Sequence, residues 1–200
     1  MKFPNFNNSI FDDEALKKDY NRYASMALWI NRMQQDKVPG CIAEVGVHKG
    51  FTSKFIEKLV PGKKIYLLDS FSGFPERYLE ADQKTDSRFK DTSYLEVQKQ
   101  FLNNPNVVIV KGIVPTSFEL IGDNKYSFVL LDLDLFQPTL DSLKYFYPRM
   151  ARGGFIVIHD YNSPESNWGC NRAVNEFFSD KPEFLIEIPD EWGSVVVRKL

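Results

Sequence analysis

Two aspartates set two residues apart close an apolar run: "SFVLLDLDLFQPT", residues 127–139, carries Asp132 and Asp134. A carboxylate buried without a partner costs several kcal/mol or takes up a proton. A pair of them at the end of a hydrophobic strand therefore needs a cation, or a proton to exchange. Residues two apart on a strand share a face, so the two carboxylates converge if the strand runs that far. The next apolar run ends in "VIHDYN", which supplies His159 and Asp160. If the two runs are neighbours in a sheet, Asp132, Asp134, His159 and Asp160 crowd one small site. Carboxylate oxygens with one imidazole suit a divalent metal. The plainer alternative makes Asp134 a helix cap and Asp160 a loop residue. It does not account for Asp132, His159 and Asp160 together.

A glycine turn stands upstream. "AEVGVHKGFTSKF" (43–55) sets Glu44, Gly46 and Gly50 as E-x-G-x-x-x-G. Gly46 permits a tight turn and lets a ligand approach bare backbone. The pattern is not the dinucleotide G-x-G-x-x-G, because His48 stands where a second glycine would admit a pyrophosphate. Glu44, two residues before the first glycine, suits a ligand with a cationic amino acid end. Asp69, in "YLLDSFSGFPE", follows Gly46 by 23 residues. That distance places it to accept hydrogen bonds from ribose hydroxyls. An ordinary strand-to-helix turn and a turn aspartate are the alternatives for these two features.

These groups need elements to hold them. Short apolar runs rich in β-branched residues fall at 41–46, 64–69, 106–112, 126–134 and 154–160. Segments with helical spacing lie between them, at 51–59, 93–102, 139–150 and 169–178. The alternation predicts βαβ units, with a parallel sheet and helices on both faces. Near-continuous apolar strands fit burial on both sides. "EFLIEIP" and "SVVVRKL" flank "DEWG" with no helix between them, which predicts a terminal β-hairpin and an antiparallel last strand. Residues 1–36 are expected to form one or two helices, a cap or dimerisation segment, ahead of a single domain over 37–200.

Bulk properties exclude several classes. The chain has 200 residues, 43% hydrophobic and 26% charged, which suits one soluble domain with a full core. A net charge of −2 without a lysine/arginine-rich run gives nucleic acid no basic surface. The first residues lack the apolar stretch of a signal peptide, and no run reaches membrane-spanning length. Cys41 and Cys170 offer neither a disulfide framework nor metal spacing. A cytoplasmic protein is the expectation, with no nucleic acid and no membrane partner.

Residues 40–178 resemble the macrocin-type sugar O-methyltransferases, metal-dependent S-adenosyl-L-methionine (SAM) enzymes. The likeness runs through "AEVGVHKGFTSKFI", "LLDSFSGFPE", "VVIVKGIVPTSF", "LLDLDLFQPTLDSLKYFYPRMARGGFIVIHDY" and "NRAVNEFF", in family order. It implies a Rossmann-like SAM methyltransferase fold, a doubly wound, mostly parallel sheet ending in an antiparallel hairpin. By resemblance Asp132 binds a divalent metal, magnesium or manganese, and Asp134 is the general base. Glu44, Gly46, Val47, Thr52, Ser53, Asp69, Ser70, Phe71, Gly112 and Asp132 are then the SAM site. The acceptor is a hydroxyl of a sugar or glycoside, and the enzyme is a homodimer or higher oligomer.

One position departs from the family. Two adjacent aspartates normally complete the metal site, and here the first is His159, with Asp160 matching. Magnesium prefers oxygen shells, whereas manganese, iron or zinc accept imidazole. His159 is thus a ligand of a different metal, or a base or substrate contact in a less metal-dependent enzyme. Trp168 is placed to stack on a sugar or to pack its loop, His48 to cap the turn or to reach the SAM carboxylate, and Cys170 to pack a helix. The long polar segment 75–93 reads as a lid at the acceptor. A Rossmann oxidoreductase, a non-catalytic SAM-binding protein and a catechol-type O-methyltransferase are the other readings.

Overall fold

A computed structural model describes residues 17–80 and 83–200. Seven strands form one sheet: β1 (Cys41–Val45), β2 (Ile65–Asp69), β3 (Val107–Lys111), β4 (Tyr126–Leu131), β5 (Met150–Ile158), β6 (Ile186–Ile188) and β7 (Ser194–Arg198). Their spatial order is β3-β2-β1-β4-β5-β7-β6. The first five are mutually parallel, while β7 runs antiparallel to both β5 and β6. The expected doubly wound sheet with a terminal antiparallel hairpin is therefore present. Its direction of winding reverses between β1 and β4, and the crevice at their carboxyl ends is where open α/β sheets take ligands.

The α-helices among the described residues are α1 (Tyr20–Gln35), α2 (Phe51–Leu59), α3 (Tyr94–Gln100), α4 (Phe136–Phe146) and α5 (Gly169–Phe178). Strand β4 shows why two layers of helix are needed. All six of its residues are buried, and successive side chains leave on opposite faces. Phe128 and Leu130 join a core with Met26, Ile30 and Met33 of α1 and with Phe55 and Ile56 of α2. Val129 and Leu131 join a second core with Leu143 and Phe146 of α4 and Val174 of α5. Helix α1 is thus packed into the same core as the sheet. The part of the expected N-terminal helical segment that falls on residues 1–16 lies outside the described residues.

Two boundaries shift in ways that matter for the site. Strand β4 ends at Leu131, not at 134. Helix α4 begins at Phe136, three residues earlier than its spacing suggested, and Leu135 is its N-cap, with no side-chain capping bond. Asp134 therefore sits in neither element and does not cap the helix. Its backbone takes φ +59°, a left-handed conformation that costs an aspartate little and a bulkier residue more.

Candidate active site

The glycine turn and the acidic residues share one cavity of about 450 Å³ at the carboxyl edge of the sheet. Its floor is made by the close approach of two strand ends. Gly46 (φ +91°) lies so near β4 that a Cβ would stand 1.8 Å from the carbonyl oxygen of Asp132. Asp132 in turn donates its amide to the carbonyl of Val45 at 2.8 Å. Only glycine fits there, and the contact ties the turn after β1 to the first of the two aspartates.

Asp69 fastens the same turn from the other side. Its Oδ2 accepts the amides of Val47 (2.7 Å) and His48 (2.8 Å), and its Oδ1 accepts that of Phe71 (2.6 Å). Three bonds leave a carboxylate one of its roughly four acceptor directions, and Asp69 lines the cavity. Glu44 is 1% exposed and accepts a hydrogen bond from Ser53 Oγ at 2.5 Å. Burial pushes its carboxyl up to about 8, against the pull of the Ser53 bond. A buried carboxyl with no bonded cation is ready for a positive ligand group.

The other SAM-site residues take up distinct positions. Gly46, Val47, Thr52, Ser70, Gly112 and Asp132 line the cavity with Glu44 and Asp69. Thr52 Oγ1 shares a 3.2 Å hydrogen bond with the Tyr23 hydroxyl of α1. Ser53 is fully buried behind Glu44, and Phe71 turns into the core edge-on to Tyr94. The polar contributions of Ser53 and Phe71 thus run through Glu44 and Asp69.

At the other end Asp132, Asp134, His159 and Asp160 all line the cavity. The expectation that they come together holds, although the last turn of chain after Leu131 does it, not the strand pleat. His159 Nδ1 lies 3.0 Å from Asp160 Oδ2 and 3.3 Å from Asp132 Oδ1. Neither distance carries hydrogen-bond alignment, so both ring nitrogens of this buried residue lack a hydrogen-bond partner. One ligand atom from each of Asp132, His159 and Asp160 lies within 4.8 Å of the others, and these residues could hold a cation. Two oxygens and an imidazole nitrogen suit manganese, iron or zinc better than magnesium. The unpartnered ring nitrogens of His159 fit such an ion.

Charge in this corner is unbalanced. Burial and Arg22 work against a charged His159, yet Asp132 and Asp160 prevail and raise it to about 10. Burial also opposes the charge of Asp132, but Arg22 and His159 hold it well below the usual carboxylate range. Asp134 moves the other way: burial, then the charges of Asp160 and Asp132, raise it well above that range. Two carboxylates so close are driven toward different protonation states, as acid/base pairs in catalytic sites are.

Several site residues were not legible in the motifs. Arg22 of α1 donates from Nη2 to Asp132 Oδ2 at 2.5 Å, and its side chain is 12% exposed. Arg88 lies 3.5 Å from Asp134 Oδ1 and pairs with Glu165 at 2.6 Å. Ser166 donates to Asp134 Oδ1 at 3.2 Å. Trp192 of the β6–β7 turn lines the cavity. Trp168, expected either to stack on a sugar or to pack its loop, does not line it and sits half-exposed before α5 with φ +49°. Each missed residue comes from a segment remote in sequence, and a lone arginine or turn tryptophan carries no local signal.

The chain is 28% identical over 162 residues to mycinamicin III 3''-O-methyltransferase of Micromonospora griseorubida, covering 72% of this chain and 62% of that protein. It is 25% identical over 194 residues to a tetracenomycin-type rhamnosyl 4'-O-methyltransferase of Streptomyces olivaceus, covering 83% of this chain and 72% of that one. The chain thus spans under two thirds of the first relative's length. Among solved structures, the O-methyltransferase NovP superposes with a TM-score of 0.75 at 23% identity, covering 90% of this chain and 79% of NovP. The calicheamicin methyltransferase CalS11 does so with a TM-score of 0.72 at 20% identity, covering 96% and 82%. The family model described as Macrocin-O-methyltransferase (TylF) matches residues 19–191, a span that takes in the glycine turn, both pairs of polar residues and the sheet as far as β6: this chain belongs to the macrocin-O-methyltransferase family.

Proposed function

We propose that this protein transfers the methyl group of SAM to a hydroxyl of a sugar or glycoside, with a divalent metal assisting. The observation that carries the reading is one cavity holding Glu44, Gly46 and Asp69 at one end and Asp132, Asp134, His159 and Asp160 at the other. Glu44 holds the SAM ammonium, which supplies the cation that a buried carboxyl lacks. Asp69 takes a ribose hydroxyl with its free acceptor direction, and Gly112, which lines the cavity, lies near the adenine. Asp132, His159 and Asp160 would hold the metal, whose chemistry is to lower the pKa of a bound hydroxyl. Asp134 accepts the acceptor's proton; its raised affinity for a proton makes it the stronger base of the pair. The similarity to a mycinamicin III 3''-O-methyltransferase and to a rhamnosyl 4'-O-methyltransferase supports a sugar acceptor.

Asp134→Asn should abolish turnover of a glycoside acceptor while SAM binding stays within a few-fold, measured by calorimetry beside a methyl-transfer assay. Full activity in that variant removes Asp134 from the mechanism. A second reading rests on the Arg22–Asp132 ion pair: a guanidinium and an imidazolium neutralise the carboxylates with no metal. EDTA separates the two, because metal assistance requires activity to fall at least tenfold on chelation and to return with added manganese, whereas the metal-free reading leaves it undiminished.

A further inference from the structure

His159 has a second set of neighbours, on elements that the catalytic reading does not use. Asp19, the N-cap of α1, and Asp190, in the turn between β6 and β7, also bring ligand-type atoms within 4.8 Å of one another and of the imidazole. Both carboxylate oxygens of Asp190 are buried without a hydrogen-bond partner, as are both ring nitrogens of His159. Burial raises the Asp190 carboxyl, while Ser194 and then His159 work to lower it. Asp19 is already engaged: its Oδ1 accepts the amides of Arg22 at 3.5 Å and Glu191 at 3.3 Å. That leaves Asp190 as the carboxylate free to serve the ring. The turn carrying it is pinned beside α1 by the Asn21 side chain, which donates to the Pro189 carbonyl at 2.8 Å.

We propose that Asp190 is the positioning residue for His159. Its carboxylate, within 4.8 Å of the ring and not bonded to it in this structure, would accept the N–H of one ring nitrogen once the other binds a metal, fixing the tautomer and turning that lone pair toward Asp132 and Asp160. A metal-bound histidine needs such a partner on its second nitrogen, and loss of the partner usually weakens metal binding by about 10–100-fold. The inference rests on the metal reading above. It also gives a reason for a histidine at 159: with Asp190 behind it, an imidazole can serve where a carboxylate would face further negative charge.

The test is a titration of the full chain with manganese alone, followed by electron paramagnetic resonance, for the unchanged protein and for Asp190→Asn, Asp190→Glu, His159→Ala and the surface control Asp123→Asn. Expected are a tenfold or greater loss of manganese affinity in Asp190→Asn, partial recovery in Asp190→Glu, a larger loss in His159→Ala and none in Asp123→Asn. Binding of S-adenosylhomocysteine and the melting temperature of Asp190→Asn should stay near those of the unchanged protein, which a merely structural role would not allow. Unchanged manganese affinity in Asp190→Asn, with His159→Ala impaired, overturns the positioning role and leaves the metal reading standing. Manganese binding that His159→Ala does not weaken, or no binding at all, overturns both.

Discussion

Glu44 concentrates the conflict between stability and function in one side chain. It is buried, bonded only to Ser53 and pushed up to about 8, against an ordinary value of 4.5 in the unfolded chain. The folded state therefore holds a proton that the unfolded state has lost. Its contribution to stability is fully present below about pH 4.5 and fades as pH rises toward about 8, at up to about 1.4 kcal/mol per pH unit. Glu44→Gln removes that penalty, so the ligand-free variant should melt higher than the unchanged protein at pH 8.5, with the advantage vanishing near pH 5. The same change removes the carboxyl proposed to hold the SAM ammonium, and on that proposal it should weaken SAM binding at least tenfold. Thermal melts across pH, with and without S-adenosylhomocysteine, read both effects; equal pH dependence in the two proteins would show that Glu44 is ionised throughout.

At the scale of elements, the site depends on how closely β1 and β4 end together. Gly46→Ala drives a methyl group into the Asp132 carbonyl and should destroy SAM binding or the fold itself. Gly62→Ala is the contrast: its φ of +80° is similar, but a Cβ there meets nothing within 4 Å. It should cost only about 1–2 kcal/mol of backbone strain and leave SAM binding intact, as urea denaturation beside ligand titration will report. Helix α1 contributes on two levels. Its apolar face is core, and Arg22 at its start reaches the cavity. The glycine and the strand patterns were readable from spacing, because a turn and a pleat are local. The pairing of Arg22 with Asp132, across 110 residues of sequence, was not.

For the molecule as a whole, the cavity is walled by segments that no sheet hydrogen bond holds. The segment before α3, read from sequence as a lid, is tied down by side chains. Arg88 reaches Glu165, Ser166 and Asp134, while Glu80 accepts from Asn167 and Arg172. Phe74 and Phe89 pack edge-to-face beside Arg88. Arg88→Ala cuts the link to the loop after β5. Limited proteolysis should then cleave between residues 83 and 93 several-fold faster, and KM for the acceptor should rise more than KM for SAM. Unchanged cleavage would mean that Glu80, with Asp91 paired to His48 and Lys49 of the glycine turn, suffices to hold the segment. Among the described residues no helix is long and apolar enough to cross a membrane.

What the residues determined alone was the frame: parallel strands between helices, a terminal hairpin, and two polar pairs at adjacent strand ends. These follow from side-chain periodicity and from the intolerance of a core for unpaired charge, which are local properties of the chain. The tertiary structure decided everything that depends on which remote segments meet. It ended β4 at Leu131 and gave Asp134 a left-handed backbone, so that convergence came from a bend. It put Ser53 behind Glu44 and Arg22 on Asp132. It replaced Trp168 with Trp192 at the cavity and set Asp190 beside His159. Electrostatic partners in a buried site are chosen by distance in space, and no spacing along the chain encodes it.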